Sequence, residues 1–293
     1  MLSETTREAF IEAAVKVLKP FLKYRLNRKP IRIPLRILVM GGDDVFVIAL
    51  PQHILAIANE FCRQFQIIAE RNKAQLPCER DLVKQLPPLT MSAGVVIAHY
   101  NFPFLSFQRL ANRLQKNAKK RYWAARRDGQ GFSGSVDFQI ITASGAEDLK
   151  TIRKESYTLE DPHGEKISLT GRPYLVGKDL DELRELRCFI AKLKAAEISR
   201  RQIKGLNQIL RQDFTQSHFD FLYWFSRLRE DEQQQVVKNE IAEQTSLLSP
   251  WRCDNRPGGS KKLYTPLLDV VELFDIPDEL AKEEINKKKG GAS

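Results

Sequence analysis

Arg36-Ile-Leu-Val-Met-Gly-Gly-Asp-Asp-Val-Phe-Val-Ile-Ala-Leu50 is the stretch on which the fold turns. Two apolar runs, each about one strand long, flank Gly41-Gly42-Asp43-Asp44. Glycine takes the positive φ of a tight hairpin without a Cβ penalty. The stretch therefore predicts a β-hairpin with two carboxylates at its tip. Its apolar flanks are expected to be buried, and a charged pair between them is hard to explain as core. Carboxylates held at a rigid tip suit a divalent cation, above all one shared with a nucleoside triphosphate. An ordinary turn is the plain alternative, because Gly and Asp are turn residues.

Working outward, the residues before the hairpin predict a helix over about Ser3 to Asn27, with Thr5-x-x-Glu8 as a capping box. Phe10, Ile11, Ala14, Val15, Leu18 and Leu22 recur on one side of it, and Pro20 should kink it or end its first half. After the hairpin, Pro51 opens a second helix to about Asn72, with Ile54, Ile57, Ala58, Phe61, Phe65 and Ile68 on its apolar face. Prolines 77, 87 and 88 mark a loop. Thr90 to His99 then reads as a strand whose first half, Ser92-Ala-Gly94, is slender enough for close approach by a backbone or a flat ligand. A basic helix from about Leu105 to Arg126 follows, then a strand over Ser135 to Thr142.

The second half differs. Gly145, Pro162, Gly164, Gly171 and Pro173 punctuate a connecting region with short strands near Ser156 to Leu159 and Lys166 to Leu169. Beyond Gly177 the pattern is helical: Asp179 to Ala196, Ser199 to Phe214, the aromatic run Phe219 to Leu228, Asp231 to Glu243, and Leu267 to Phe274. The aromatic run reads as the core of a small helical domain rather than a base-stacking surface. Pro250 to Pro266 reads as a loop. The domain expectation is a palm over 1–145, a connection over 146–176, a helical domain over 177–285 and a disordered tail over 286–293.

Composition narrows the class. The 293 residues allow one large domain or two smaller ones. The net charge of +10 favours polyanions without choosing among nucleotides, RNA, DNA and an anionic membrane face. No apolar run reaches the length of a membrane span and no signal peptide opens the chain, so the expected location is the cytoplasm. Cys62, Cys78, Cys188 and Cys253 form no C-x-x-C pair and are expected to be buried free thiols. There is no P-loop signature, no His-Asp dipeptide and no H-E-x-x-H.

The order helix, strand, GGDD turn, strand, helix, strand, helix, strand predicts an α+β layer of the ferredoxin-like polymerase palm type, followed by a helical bundle. With Gly41-Gly42-Asp43-Asp44, then Ser92-Ala-Gly-Val-Val-Ile-Ala98, then a helix carrying Asn117-Ala-Lys-Lys120, the chain resembles the second palm domain of the large subunit of type III CRISPR effector complexes, the Cas-ten family. The helical C-terminal half is similar to the bundle that follows that palm. The resemblance implies a nucleotide polymerase-cyclase. It would join AMP units from ATP into cyclic oligoadenylate, using Mg2+ or Mn2+, within a ribonucleoprotein that holds crRNA and senses target RNA.

Carried onto this chain, the resemblance makes Asp43 and Asp44 the catalytic metal ligands. Gly41 and Gly42 would let the tip approach the phosphates, Ser92 and Gly94 would line the nucleotide, and Lys119, or Lys116 or Lys120, would neutralise the triphosphate. Neighbours on a strand point to opposite faces, so both carboxylates serve one metal only if the turn redirects one of them. The family's palm begins with a strand bearing a further acidic ligand, and no run before Ser3 supplies one. The expectation is a fragment, a split subunit given that strand by a partner, or a degenerate product. Two other functions remain open: a non-catalytic scaffold or RNA-binding subunit, and a diguanylate-cyclase-like enzyme. Against the latter, the turn continues Asp-Asp-Val-Phe, without an acidic-aromatic ending.

Overall fold

Helical periodicity in the first seventy residues becomes two packed helices, α1 (Leu2–Lys23) and α2 (Pro51–Lys73), in a computed structural model that describes residues 2–23, 33–75, 87–128, 131–141, 148–161, 163–229, 232–242, 248–260 and 262–278. Phe10, Ala13 and Leu18 of α1 meet Ile57, Phe61, Phe65 and Ile68 of α2 in one buried cluster. The Phe10 and Phe61 rings meet edge to face at 5.5 Å. Glu8–Arg71 and Lys16–Glu60 ion pairs flank the seam. The expected capping box is not formed. The helix begins at Leu2, so Thr5 and Thr6 lie inside it: Thr6 donates to the Leu2 carbonyl, and buried Thr5 accepts from Asn72 of α2. Pro20 is carried within α1, which continues to Lys23.

Strands β1 (Leu35–Gly41) and β2 (Asp44–Ala49) form the expected hairpin. Leu35, Met40, Val45, Val47 and Ala49 rest against the α1–α2 cluster. Strand β3 (Met91–Ala98), helix α3 (Phe104–Arg127) and strand β4 (Gly134–Ile141) follow within two residues of their expected limits. β4 lies between β3 and a third strand, which comes from far along the chain: β7 (Tyr174–Val176) pairs antiparallel with β4, Gly134 opposite Val176 and Val136 opposite Tyr174. Tyr174 stacks on Phe138 at 6.2 Å.

The chain divides into two compact units. The first comprises Met1–Ile97, Ala111–Gln139 and Pro173–Asp181. The second comprises Ala98–Leu110, Ile140–Arg172 and Glu182–Ser293. Tyr174–Val176, within the expected connection over 146–176, falls in the first unit. Tyr174–Val176 belongs to the palm sheet, because its backbone groups complete the β4 ladder rather than bridging domains.

The second unit contains α4 (Leu149–Ser156), which the sequence reading did not foresee, and α5 (Glu182–Ala195), α6 (Arg200–Ile209), α7 (Phe214–Ser226), α8 (Gln233–Ala242) and α9 (Leu267–Leu273). Ser199 and Gln202 cap α6 reciprocally, and Asp213 caps α7. Phe221, Trp224 and Phe225 of the aromatic run are buried, while Phe219 and Tyr223 face solvent. The region is not purely helical. Strands β5 (Thr158–Glu160) and β6 (Lys166–Ser168) pair as the connecting hairpin. They join β8 (Arg252–Cys253) and β9 (Leu263–Tyr264), from the expected loop, in the order β5-β6-β9-β8. Behind this sheet the Arg172 guanidinium and the Asp269 carboxylate, both fully buried, pair at 2.7 Å. Thr170 and the Gly171 N–H also donate to Asp269.

The expectation of buried thiols holds for Cys62 alone. Cys188 is half-buried and Cys253 exposed, and none of the three is in a disulfide. Burial pushes the Cys62 thiol far above its ordinary pKa, so it is inert packing. Cys78 and the tail 286–293 lie outside the described residues. Among those described, no helix is long and apolar enough to cross a membrane.

Candidate nucleotide and metal site

The hairpin tip is a two-residue turn. Gly41 pairs with Asp44, leaving Gly42 and Asp43 as its central residues. Gly42 has φ +63° and Asp43 is not in the positive region, the pattern of a type II′ turn with glycine first. A Cβ built on Gly41 or Gly42 would meet no atom within 4 Å, so open space surrounds the backbone here. Asp43 and Asp44 are both exposed, and neither carboxylate forms a hydrogen bond or ion pair with another described residue. Asp43 sits in the turn and Asp44 begins β2, so strict strand alternation does not force the carboxylates apart.

The flanks differ from expectation. Ile37, Val39 and Ile48 are 46%, 49% and 45% exposed. The reason is architectural. Among the described residues the hairpin is a sheet of only two strands, and α1 and α2 cover only one of its faces. A register shift between Ile37 and Val39 adds an irregularity that turns further apolar groups outward.

Ser92 and Gly94 sit elsewhere, on β3, two residues apart and so on one face of it. That face looks at α3. Ser92 Oγ lies 3.4 Å from Ser135 Oγ, and Ser135 donates to the Ala118 carbonyl of α3. A Cβ on Gly94 would overlap Ala111 O and Gln115 N of the same helix. The slender half of β3 therefore admits a helix backbone. Gly94 faces the backbone of α3, and Ser92 the Ser135 hydroxyl. Lys119 lies on α3 and is exposed, as are Lys116 and Lys120, and none of the three is ion-paired with a described residue. No hydrogen bond among the described residues joins the hairpin tip to Ser92, Gly94 or Lys119.

Sequence reasoning missed Asp137, which is fully buried on β4 and accepts from Asn117 of α3 at 2.8 Å. Its signal was present as a carboxylate inside the apolar run Ser135-Val-Asp-Phe138. It also missed buried Asp181, which accepts from Asn59 of α2 at 2.7 Å.

Among the described residues no group of three or more His, Cys, Asp and Glu is placed to hold a metal ion. Two adjacent carboxylates nevertheless fit Mg2+ or Mn2+ chemically. Mg2+ keeps several waters and is commonly held by one or two carboxylates together with substrate phosphates.

No curated protein matches the chain. Residues 2–128 match the family model described as Cas10/Cmr2, second palm domain. That span contains α1, the GGDD hairpin, α2, β3 and α3 in their observed order. Over residues 2–128 the chain is thus similar to the second palm domain of the Cas10/Cmr2 family.

Proposed function

We propose that this palm binds ATP with a divalent cation at Asp43 and Asp44 and joins AMP units into cyclic oligoadenylate. The observation that carries this reading is the tip itself: two solvent-facing carboxylates on a two-residue turn, beside glycines with open space around them, in a span similar to this family's second palm domain. Asp43 and Asp44 would hold the cation, which would supply neutralisation of triphosphate charge and activation of the attacking 3′-hydroxyl.

The chain's own residues supply the rest. Asp43 and Asp44 offer hard oxygen donors, and the hairpin fixes where they stand. Gly41 and Gly42 leave the tip thin enough for a phosphate to come close. Lys119, unpaired with any described residue, is suited to neutralising phosphate charge. Ser92 and Gly94 contribute indirectly by seating α3, and so Lys119, closely on β3. The mainly helical second unit would dock neighbouring subunits of the ribonucleoprotein. A non-catalytic scaffold is the second reading, favoured by the absence of a third acidic side chain near the tip among the described residues.

The test is incubation with ATP and Mn2+, with products read by mass spectrometry, for the chain alone and in its purified complex. Oligoadenylate that disappears in Asp43→Ala/Asp44→Ala supports synthesis. A complex that assembles and binds RNA but yields no product supports the scaffold.

A further inference from the structure

Helix α3 contains eight Lys and Arg residues, counted from Arg109 to Arg127, and no Asp or Glu. Leu114, Ala118, Tyr122 and Ala125 bury one side of it. On the opposite side Arg113, Lys116, Lys120, Trp123 and Arg127 are exposed. At about 100° per residue they fall within about 80° of the helix circumference, and at 1.5 Å per residue they span about 21 Å. Lys119 lies at the margin of this stripe rather than on it. The helix macrodipole rewards cations in the last turn only, so it does not account for positions 113, 116 and 120.

Trp123 gives the stripe its chemistry. A tryptophan 48% exposed between cations is a poor choice for a merely solvated face. The Arg126 guanidinium lies over its ring at 5.2 Å, and Tyr122 meets it edge-on at 5.6 Å. The ring is thus supported from two sides while keeping exposed surface. Cations that track phosphates, with an aromatic ring among them, are the combination that binds unpaired strands, because every base has a π-face. A duplex offers the phosphates but no free base face. An anionic membrane would attract the charge. Yet the stripe holds no aliphatic side chain, and the apolar side of α3 is committed to the protein core, leaving nothing to insert.

We propose that the outward stripe Arg113, Lys116, Lys120, Trp123 and Arg127 of α3 is a binding surface for single-stranded nucleic acid. It is separate from the carboxylate tip and does not depend on nucleotide chemistry there.

The experiment is fluorescence anisotropy of the full-length chain with a labelled 12-nucleotide uridine RNA, the deoxyuridine equivalent and an RNA duplex, across a salt series. The wild type should bind the single strands more tightly than the duplex, and RNA and DNA arms show whether the sugar matters. Trp123→Ala should weaken single-strand binding about tenfold or more, and Trp123→Phe should retain most of it. Lys116→Glu/Lys120→Glu should weaken binding and flatten the salt dependence, by about 0.7 in logarithmic slope for each phosphate no longer neutralised. Arg201→Glu, an exposed basic position elsewhere, should change little. Asp43→Asn/Asp44→Asn should leave RNA binding intact, which separates this surface from the proposed catalytic tip. Melting curves establish that each variant is folded. Several results would overturn the proposal: Trp123→Ala binding like wild type, duplex preferred over single strand, Arg201→Glu as damaging as the double reversal, or binding to phosphatidylserine vesicles without binding to RNA.

Discussion

Gly42 and Gly94 are both glycines for steric reasons, yet the reasons are opposite. Gly42 has open space around it and a positive φ, so its constraint is backbone strain alone. Gly42→Ala should cost about 1–3 kcal/mol, because its positive φ is strained for an L side chain. Gly94 lies against the backbone of α3. Gly94→Ala should cost about 1–3 kcal/mol through overpacking, measured as a lower urea midpoint with unchanged slope. Both glycines were visible in the sequence, but their causes were not. A Ser-Ala-Gly run states that something comes close, and only the fold shows that a helix backbone does. The reverse held for Thr5-x-x-Glu8: its spacing satisfies the capping pattern, but the helix starts three residues earlier and uses the hydroxyls inside it.

Elements with sustained periodicity were legible. α2, α3, β3 and β4 lie close to where apolar spacing put them, because each buries one continuous face against its unit. Of the strands of two or three residues, β5 and β6 were anticipated, while β7, β8 and β9 were not. Tyr174–Val176 pairs with β4, and its ladder partners lie far upstream, so nothing local announces it. The hairpin shows a second limit. An apolar run reports that burial is available without reporting how many faces are covered. Two substitutions measure this. Ile48→Thr, on the open face, should change stability by less than about 0.5 kcal/mol. Phe61→Ala, in the α1–α2 seam beneath the covered face, should cost about 3–5 kcal/mol. Chemical denaturation of the two variants decides the point, and equal costs would mean the outer face is covered as well.

At the scale of the whole molecule, each unit has its own apolar core, and the second unit adds a buried charge pair: Arg172 and Asp269 are both fully buried and pair with each other. Arg172→Met would leave that carboxylate short of its counterion and should cost about 3–5 kcal/mol, read as an early transition in melting. Asp275 titrates within the same unit. Its hydrogen bond to Arg200, with help from Lys204, holds its pKa below the ordinary carboxylate value. The folded-state pKa is the lower one, so this contribution is present above the ordinary carboxylate range and is lost as pH falls through the folded value. Asp275 is largely exposed, which keeps the effect small. Asp275→Asn should melt slightly earlier than wild type at pH 7, and the difference should shrink as pH falls below the ordinary carboxylate range.

The whole molecule's proposed chemistry rests on the palm tip, where carboxylates placed by a two-residue turn are held to serve a metal-bound nucleoside triphosphate. Its most direct test is equilibrium binding of ATP to the full-length chain with and without Mn2+, in wild type and in Asp43→Asn/Asp44→Asn. The predicted result is binding that requires Mn2+ and is lost in the double variant while its melting temperature is retained. Binding that persists without the metal, or survives unchanged in the double variant, would contradict it.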